Sequence, residues 1–146
     1  MALVATPPTA ADGSWQRLWF STLRKPWDSI AIVPCESGID AHKVAEALVS
    51  ISREHGAKPV RLVNGVGVQP SSVAVVMDSI KGAAERGECL IVPVDPLHQN
   101  PSAMPIVRGT TSVLLVLRIG QSRLSVSRTT IETAGADRII GTVVVG

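Results

Sequence analysis

The chain has 146 residues, of which 45% are hydrophobic and 18% are charged, and its formal net charge is +2. This length and composition fit one domain with an apolar core and exclude a disordered chain. The small net charge gives no reason to expect a nucleic-acid binder, and no stretch approaches the ~20 apolar residues of a membrane-spanning helix. Two cysteines, Cys35 and Cys89, are too few for a disulfide framework. Since the N-terminus shows no signal-peptide pattern, the expected location is cytoplasmic.

The first segments of the chain are expected to be a tail and a helix. Residues 1–13 are rich in Pro, Ala and Thr and show no periodicity, which predicts a flexible tail. A single domain then covers residues 14–146. Ser14 is a candidate N-cap for a helix that runs to Lys25. All three tryptophans fall within residues 15–27, and packing of this segment on its own domain is favoured over packing on a partner.

From there, predicted strands and helices alternate along the chain. Apolar runs of strand length occupy residues 29–34, 59–64, 89–94, 112–118 and 138–145. Segments with helical periodicity lie between them, at residues 40–55, 71–86, 102–108 and 121–134. The strands are nearly continuous in Val, Ile and Leu, which is typical of strands that helices cover on both faces. The pattern therefore predicts an α/β three-layer sandwich with a five-stranded parallel sheet.

Ligands of open parallel sheets bind beyond the carboxyl ends of the strands. In this chain the loops at that edge are residues 34–42, 64–71, 94–102 and 118–123. The first of them carries the sequence CESGIDAHK, which starts at Cys35 and lies between a strand and a long helix. A phosphate-binding loop belongs at this position of the fold.

The same region resembles a known family. The order of strand, glycine-bearing loop and helix beginning x-V-A-x-x-L is similar to the Walker A region of bacterial tyrosine kinases of polysaccharide biosynthesis (CpsD/CapB-like) and of MinD/ParA-like ATPases. The segments VLLVLRIGQSR at 113–123 and AGADRIIGTVVVG at 134–146 resemble the ending of those kinases. NPSA at 100–103 fits the segment after their Walker B strand. The resemblance covers residues 14–146 and implies a P-loop NTPase-like fold with strand order 2-3-1-4-5.

The resemblance also implies that the phosphate loop is degenerate. It places the Walker A lysine at Ala41, the magnesium-binding hydroxyl at His42 and the second loop glycine at Asp40, while Gly38 is retained. The carboxylates of Glu36 and Asp40 stand where backbone N–H groups should meet an anion, and Asp40 has a simpler role as the helix N-cap. The degenerate region comprises Ser37, Gly38, Asp40, Ala41, His42 and Lys43.

The other strand ends lack the expected carboxylates as well. The two aspartates of the kinases' second Walker-type motif correspond to Asn64 and Val66, and the Walker B aspartate corresponds to Pro93. Asp95, two residues further along, is a candidate substitute. The sequence contains no tyrosine, so the autophosphorylation that the resemblance implies has no acceptor within these residues.

Arginines are concentrated between Asp95 and Glu132, where no acidic residue occurs. They are either solvated side chains on a helix face or a candidate surface for an anion or acidic partner. That surface comprises Arg118, Arg123 and Arg128, and the first two match an R-x-G-x-x-R segment of the family.

Three further patterns are interpreted as structural. The three histidines have no metal-like spacing with the cysteines, so no metal site is expected. Cys35 and His42 form either a nucleophile and base or, as favoured here, a buried cysteine and a surface histidine. The glycine-rich residues 64–67 indicate a flexible loop rather than a dinucleotide fingerprint.

The favoured function is that of a non-catalytic pseudo-ATPase domain that acts through protein contacts. The resemblance implies exopolysaccharide biosynthesis or export, with a membrane-associated assembly component or a second copy of the chain as partner. No cofactor, nucleic acid or membrane insertion is expected. Two alternatives remain: a divergent NTPase that binds Mg-ATP through Lys43 and Asp95, and a small-ligand or cyclic-nucleotide sensor that uses the strand-end crevice.

Overall fold

The computed structural model describes residues 2–4, 13–55, 58–118 and 124–145. Its helices and strands, in chain order, are β1 (Ala2–Val4), α1 (Gly13–Thr22), β2 (Ser29–Pro34), α2 (Ala41–His55), β3 (Val60–Leu62), α3 (Val73–Glu85), β4 (Cys89–Pro93), α4 (Ala103–Gly109), β5 (Ser112–Arg118), α5 (Leu124–Ala134) and β6 (Ile139–Val145). None of the helices in these ranges is both long and apolar enough to cross a lipid bilayer.

The strands form one parallel sheet in the order β1-β6-β5-β2-β4-β3. The central strand β2 pairs with β4 through residues 29–32 and with β5 through residues 30–34. Strands β2 to β6 correspond to the five predicted strands, and their order β3-β4-β2-β5-β6 is the expected 2-3-1-4-5. The α/β fold class and the strand order are therefore confirmed.

The start of the chain corrects one prediction. Residues 1–13 are predicted to be a flexible tail, yet Ala2–Val4 forms a sixth strand that pairs with Thr142–Val144 of β6. Three apolar residues suffice here because strand pairing uses backbone N–H and C=O groups, which every such residue carries. Residues 5–12 of the predicted tail lie outside the described residues.

Helices cover both faces of the sheet, and β2 shows how its residues are divided between them. Ile30 and Ile32 pack in the apolar cluster beneath α1 and α2, whereas Ala31 and Val33 pack in the cluster beneath α3 and α4. All four side chains are fully buried. This arrangement explains why the strand sequence SIAIVP is continuously apolar, since successive side chains of a strand point to opposite faces.

Helix α1 packs on its own domain, as the sequence predicts. Trp15 and Trp19 are buried within the cluster that includes α2, and Trp27 packs against the same cluster. The rings of Trp19 and Trp27 meet edge to face, with centroids 6.0 Å apart. Phe20 and Leu23 point outward and are about half exposed.

Arg138 joins three elements at the opposite face of the sheet. Its guanidinium donates hydrogen bonds to the backbone carbonyls of Val107 and Thr110 at the end of α4. It also donates to the carbonyl of Ala134, the last residue of α5, at 3.2 Å, and to Thr110 Oγ1 at 3.3 Å. A planar group with several donors can satisfy the carbonyls that a helix end leaves without partners. The start of β6 is thereby held against two helix ends.

Candidate functional site

A cleft of about 310 Å³ opens at the carboxyl ends of β2 and β4. Its position is the strand-end crevice that the sequence predicts for a ligand. The lining consists mainly of apolar side chains with two carboxylates among them: Pro34, Gly38, Ile39, Asp40, Ala41, Val66, Val94, Asp95 and Pro96.

The loop from β2 to α2 is fastened to its neighbours on both sides. Gly38 has a positive φ of 85°, which glycine adopts without strain. Its carbonyl accepts a hydrogen bond from the guanidinium of Arg118, at the end of β5. On the other side, Ser37 Oγ lies 2.8 Å from Gln99 Oε1 in the loop after β4. The loop thus uses its own polar groups to hold its shape.

The first turn of α2 carries the residues that the sequence assigns to the degenerate phosphate loop. Asp40 Oδ1 accepts the backbone N–H of Lys43 at 3.1 Å, so its predicted role as N-cap is confirmed. Ala41 is buried, and Nδ1 of His42 lies 2.9 Å from Glu46 Oε1 on the next turn. The side chain of Lys43 is exposed. A carboxylate of the chain therefore occupies the helix end that binds phosphate in P-loop proteins.

Replacing Asp40 with alanine is expected to lower the free energy of unfolding by about 1 kcal/mol, because the Lys43 N–H loses its acceptor. Asp40→Asn should stay close to the parent protein, since asparagine also caps helices. Urea unfolding followed by circular dichroism measures both effects. Asp78→Ala, at an exposed position on α3, is the matched control. An equal loss in the control would show that the effect does not come from capping.

Asp95 links the loops that follow β3 and β4. Its Oδ2 accepts the Gly67 N–H at 2.7 Å and an Asn100 side-chain N–H at 3.0 Å. The same Asn100 amide donates to the carbonyl of Val68 at 3.1 Å. Asp95 lines the cleft, but these bonds also give it a structural function.

The two other strand-end positions of the prediction have no carboxylate. Pro93 is buried at the end of β4, and its carbonyl accepts the Gly65 N–H at 2.9 Å. Asn64 Oδ1 accepts the Val66 N–H at 2.9 Å and closes a local turn. The proline at the Walker B position therefore contributes only a backbone carbonyl, which a neighbouring loop already uses.

Sequence reasoning missed why the loop of residues 64–67 contains glycine. A Cβ at Gly65 would lie 2.9 Å from the carbonyl oxygen of Pro93 and 3.1 Å from Val94 Cγ1. Only glycine lets this loop approach β4 so closely. Asn100 was missed as well, because the partners of its amide lie in two loops far apart in sequence. The motif NPSA gave its position but not its bonds.

The predicted arginine surface is described only in part. Arg118 contacts the Gly38 carbonyl, Arg128 is exposed on α5, and Arg123 lies outside the described residues. A role of these arginines in binding an anion or partner stays a prediction.

The remaining candidates involve cysteine and histidine. Cys35 is fully buried, so solvent does not reach its thiol. Within the described ranges, no group of three or more His, Cys, Asp or Glu side chains is arranged to hold a metal ion.

No protein-family model matches the sequence, and no curated protein is significantly similar to it. Solved structures, however, are similar in fold. The kinase domain of the Escherichia coli tyrosine kinase ETK has a TM-score of 0.67 at 15% identity, covering 91% of this chain and 72% of that chain. The chimerical protein CapA2B2 has a TM-score of 0.68 at 12% identity, with 89% and 80% covered. The BceF tyrosine kinase domain has a TM-score of 0.69 at 13% identity, with 91% and 74% covered.

At these identities the similarity concerns the fold and not the chemistry. The compared chains align over about nine-tenths of this one. The expected resemblance is thereby supported by coordinates rather than by short motifs alone. This chain has the P-loop ATPase-like fold of the bacterial tyrosine kinase domains.

Proposed function

We propose that this domain is a non-catalytic pseudo-ATPase that acts through contacts with another protein. The observation that carries the proposal is the hydrogen bond from the Lys43 N–H to the Asp40 carboxylate. A nucleotide phosphate at the same helix end would meet a negative charge instead of free N–H groups. Electrostatic repulsion and competition for this donor both oppose nucleotide binding.

The side chains at the other positions support the same conclusion. Phosphoryl transfer depends on a lysine at the phosphates and on a hydroxyl and a carboxylate that hold magnesium. The corresponding positions are Ala41, His42 and Pro93, none of which supplies such a group. Asp95 could offer a carboxylate, but its Oδ2 already accepts two hydrogen bonds from the protein.

Mg-ATP, Mg-ADP and Mg-GTP at millimolar concentration are expected to leave the thermal unfolding midpoint of the domain unchanged. A ligand present at ~100 times its dissociation constant adds about 2.7 kcal/mol of stability, which raises the midpoint visibly. Differential scanning fluorimetry and isothermal titration calorimetry provide independent measurements. A magnesium-dependent rise in the midpoint would contradict the proposal.

The cleft itself supports a second candidate function, a divergent nucleotide binder or small-ligand sensor. It offers about 310 Å³ between the α2 loop and the end of β4, and the exposed Lys43 stands beside it on the first turn of α2. The discriminating experiment compares Lys43→Ala with Lys81→Ala, since Lys81 is exposed on α3. Nucleotide binding that is lost only in Lys43→Ala would establish this alternative. A panel that includes cyclic nucleotides tests the sensor form.

The protein partner is proposed from the resemblance and from exposed apolar side chains. Phe20 is 52% exposed and Val75 is 66% exposed, and apolar residues at such positions are available to a partner. The resemblance points to a membrane-associated component of polysaccharide assembly that meets this domain in the cytoplasm. Calorimetric titration with the cytoplasmic segment of such a component tests this pairing. Sedimentation velocity of the domain alone tests whether a second copy of the chain is the partner instead.

A further inference from the structure

A second pocket of about 310 Å³ lies at the opposite end of the sheet, where β3 and β4 begin. Its walls are mostly apolar and include Trp19, Leu23, Trp27 and Val60. The edge-to-face contact of Trp19 and Trp27 gives it two aromatic surfaces at an angle of 88°. A concave apolar pocket of this size is at the small end of the range for ligand sites, ~300–1,000 Å³.

Trp19 supplies an unused hydrogen-bond donor at this pocket. The residue is only 2% exposed, and its Nε1 is a buried side-chain nitrogen with no hydrogen-bond partner among the residues that the structure describes. A buried indole N–H ordinarily has an acceptor, because an unsatisfied buried donor is unfavourable. A ligand oxygen in the pocket that Trp19 lines would provide that acceptor.

The charges at the pocket select the sign of the ligand. Lys25 and Lys58 are exposed residues of the lining, and none of the described lining residues is Asp or Glu. Cys89 completes the wall, and burial raises the pKa of its thiol, so the sulfur is neutral at physiological pH. Two ammonium groups beside apolar walls favour an anion with a hydrocarbon part.

We propose that this pocket binds a small apolar carboxylate. Its hydrocarbon part packs against Trp19 and Trp27, one oxygen accepts the Trp19 Nε1–H, and its negative charge faces Lys25 and Lys58. The site is independent of the proposed pseudo-ATPase function, because it shares no lining residue with the cleft at Asp40. It gives the domain a ligand response at the end of the sheet away from the phosphate loop.

Sodium octanoate is the probe, and tryptophan fluorescence is the first readout, since the chain has 3 Trp and no Tyr. We expect a saturable change in emission, with a dissociation constant below about 1 mM. Octan-1-ol and octylamine, which have the same chain without the negative charge, should each bind at least about tenfold more weakly. Equal binding of octanoate and octan-1-ol would overturn the proposal, and so would the absence of saturable octanoate binding.

Variants test the two polar elements separately, with calorimetry as the readout because one variant removes a fluorophore. Trp19→Phe keeps an aromatic wall but removes the N–H, and should weaken octanoate binding about tenfold. Lys25→Gln combined with Lys58→Gln should weaken it at least about threefold. Arg17→Gln, an exposed position on α1 outside the pocket, should bind as the parent does. Unchanged affinity in the lysine double variant would overturn the proposal even if Trp19→Phe failed to fold.

Discussion

Replacing Trp15 with alanine is expected to lower the free energy of unfolding by about 3–5 kcal/mol. Trp15 is 0% exposed and is among the largest fully buried side chains of the described residues. It belongs to the cluster that joins α1 to Leu48 of α2 and Val143 of β6. Removing the indole forfeits its transfer from water and leaves a cavity that the rigid sheet cannot fill. Urea unfolding followed by far-ultraviolet circular dichroism measures the loss.

The matched control for Trp15 is Arg17→Ala on the same helix, because Arg17 is exposed. Its effect should stay within about 0.5 kcal/mol of the parent protein. Trp15→Phe should fall between the two, since it retains part of the buried ring. A loss below about 1 kcal/mol for Trp15→Ala would show that α1 is not an integral part of the core.

Replacing Arg138 with methionine is expected to lower the free energy of unfolding by about 2–3 kcal/mol. Methionine keeps an unbranched apolar stem but has no donor. The carbonyls of Val107, Thr110 and Ala134 then lose the guanidinium that bonds them. Because a buried acceptor without a partner carries its full desolvation penalty, the loss should exceed the value of one ordinary hydrogen bond.

Arg138→Lys and Arg128→Met are the controls for this position. Lysine retains the charge but is a point donor and cannot span several carbonyls, so an intermediate loss is expected. Arg128 is exposed on α5, and its replacement should have little effect. If Arg138→Met unfolded at the same urea concentration as Arg128→Met, the contacts of Arg138 would not contribute to stability.

The sheet could be predicted from sequence because its strands are unusually explicit. β2 is buried on both faces and reads as an uninterrupted apolar run, and each following strand is separated from it by an amphipathic helix. These are local signals that need no knowledge of distant contacts. The strand order came from the resemblance, because periodicity alone does not say which parallel strands are neighbours. β1 could not be predicted, since Ala2–Val4 is too short to show any period.

The candidate site divides in the same way. The capping role of Asp40 is local: acceptor and donor lie three residues apart on the chain, and the preference for aspartate at N-caps is general. The bonds of Asp95 and Asn100 and the close approach of Gly65 to Pro93 join loops about 30 residues apart. No spacing rule reveals such pairs. The unpaired indole of Trp19 was equally hidden, because the sequence shows only that a tryptophan will be buried.

The sixth strand has a consequence for how the protein behaves at high concentration. Without β1, the sequence IIGTVVV of β6 would present an open row of backbone donors and acceptors, with no charge or proline to deter another chain. Ala2–Val4 covers that row at Thr142–Val144. Since uncovered strands of this composition are templates for aggregation, three residues that add little to the core protect the domain against self-assembly into larger sheets.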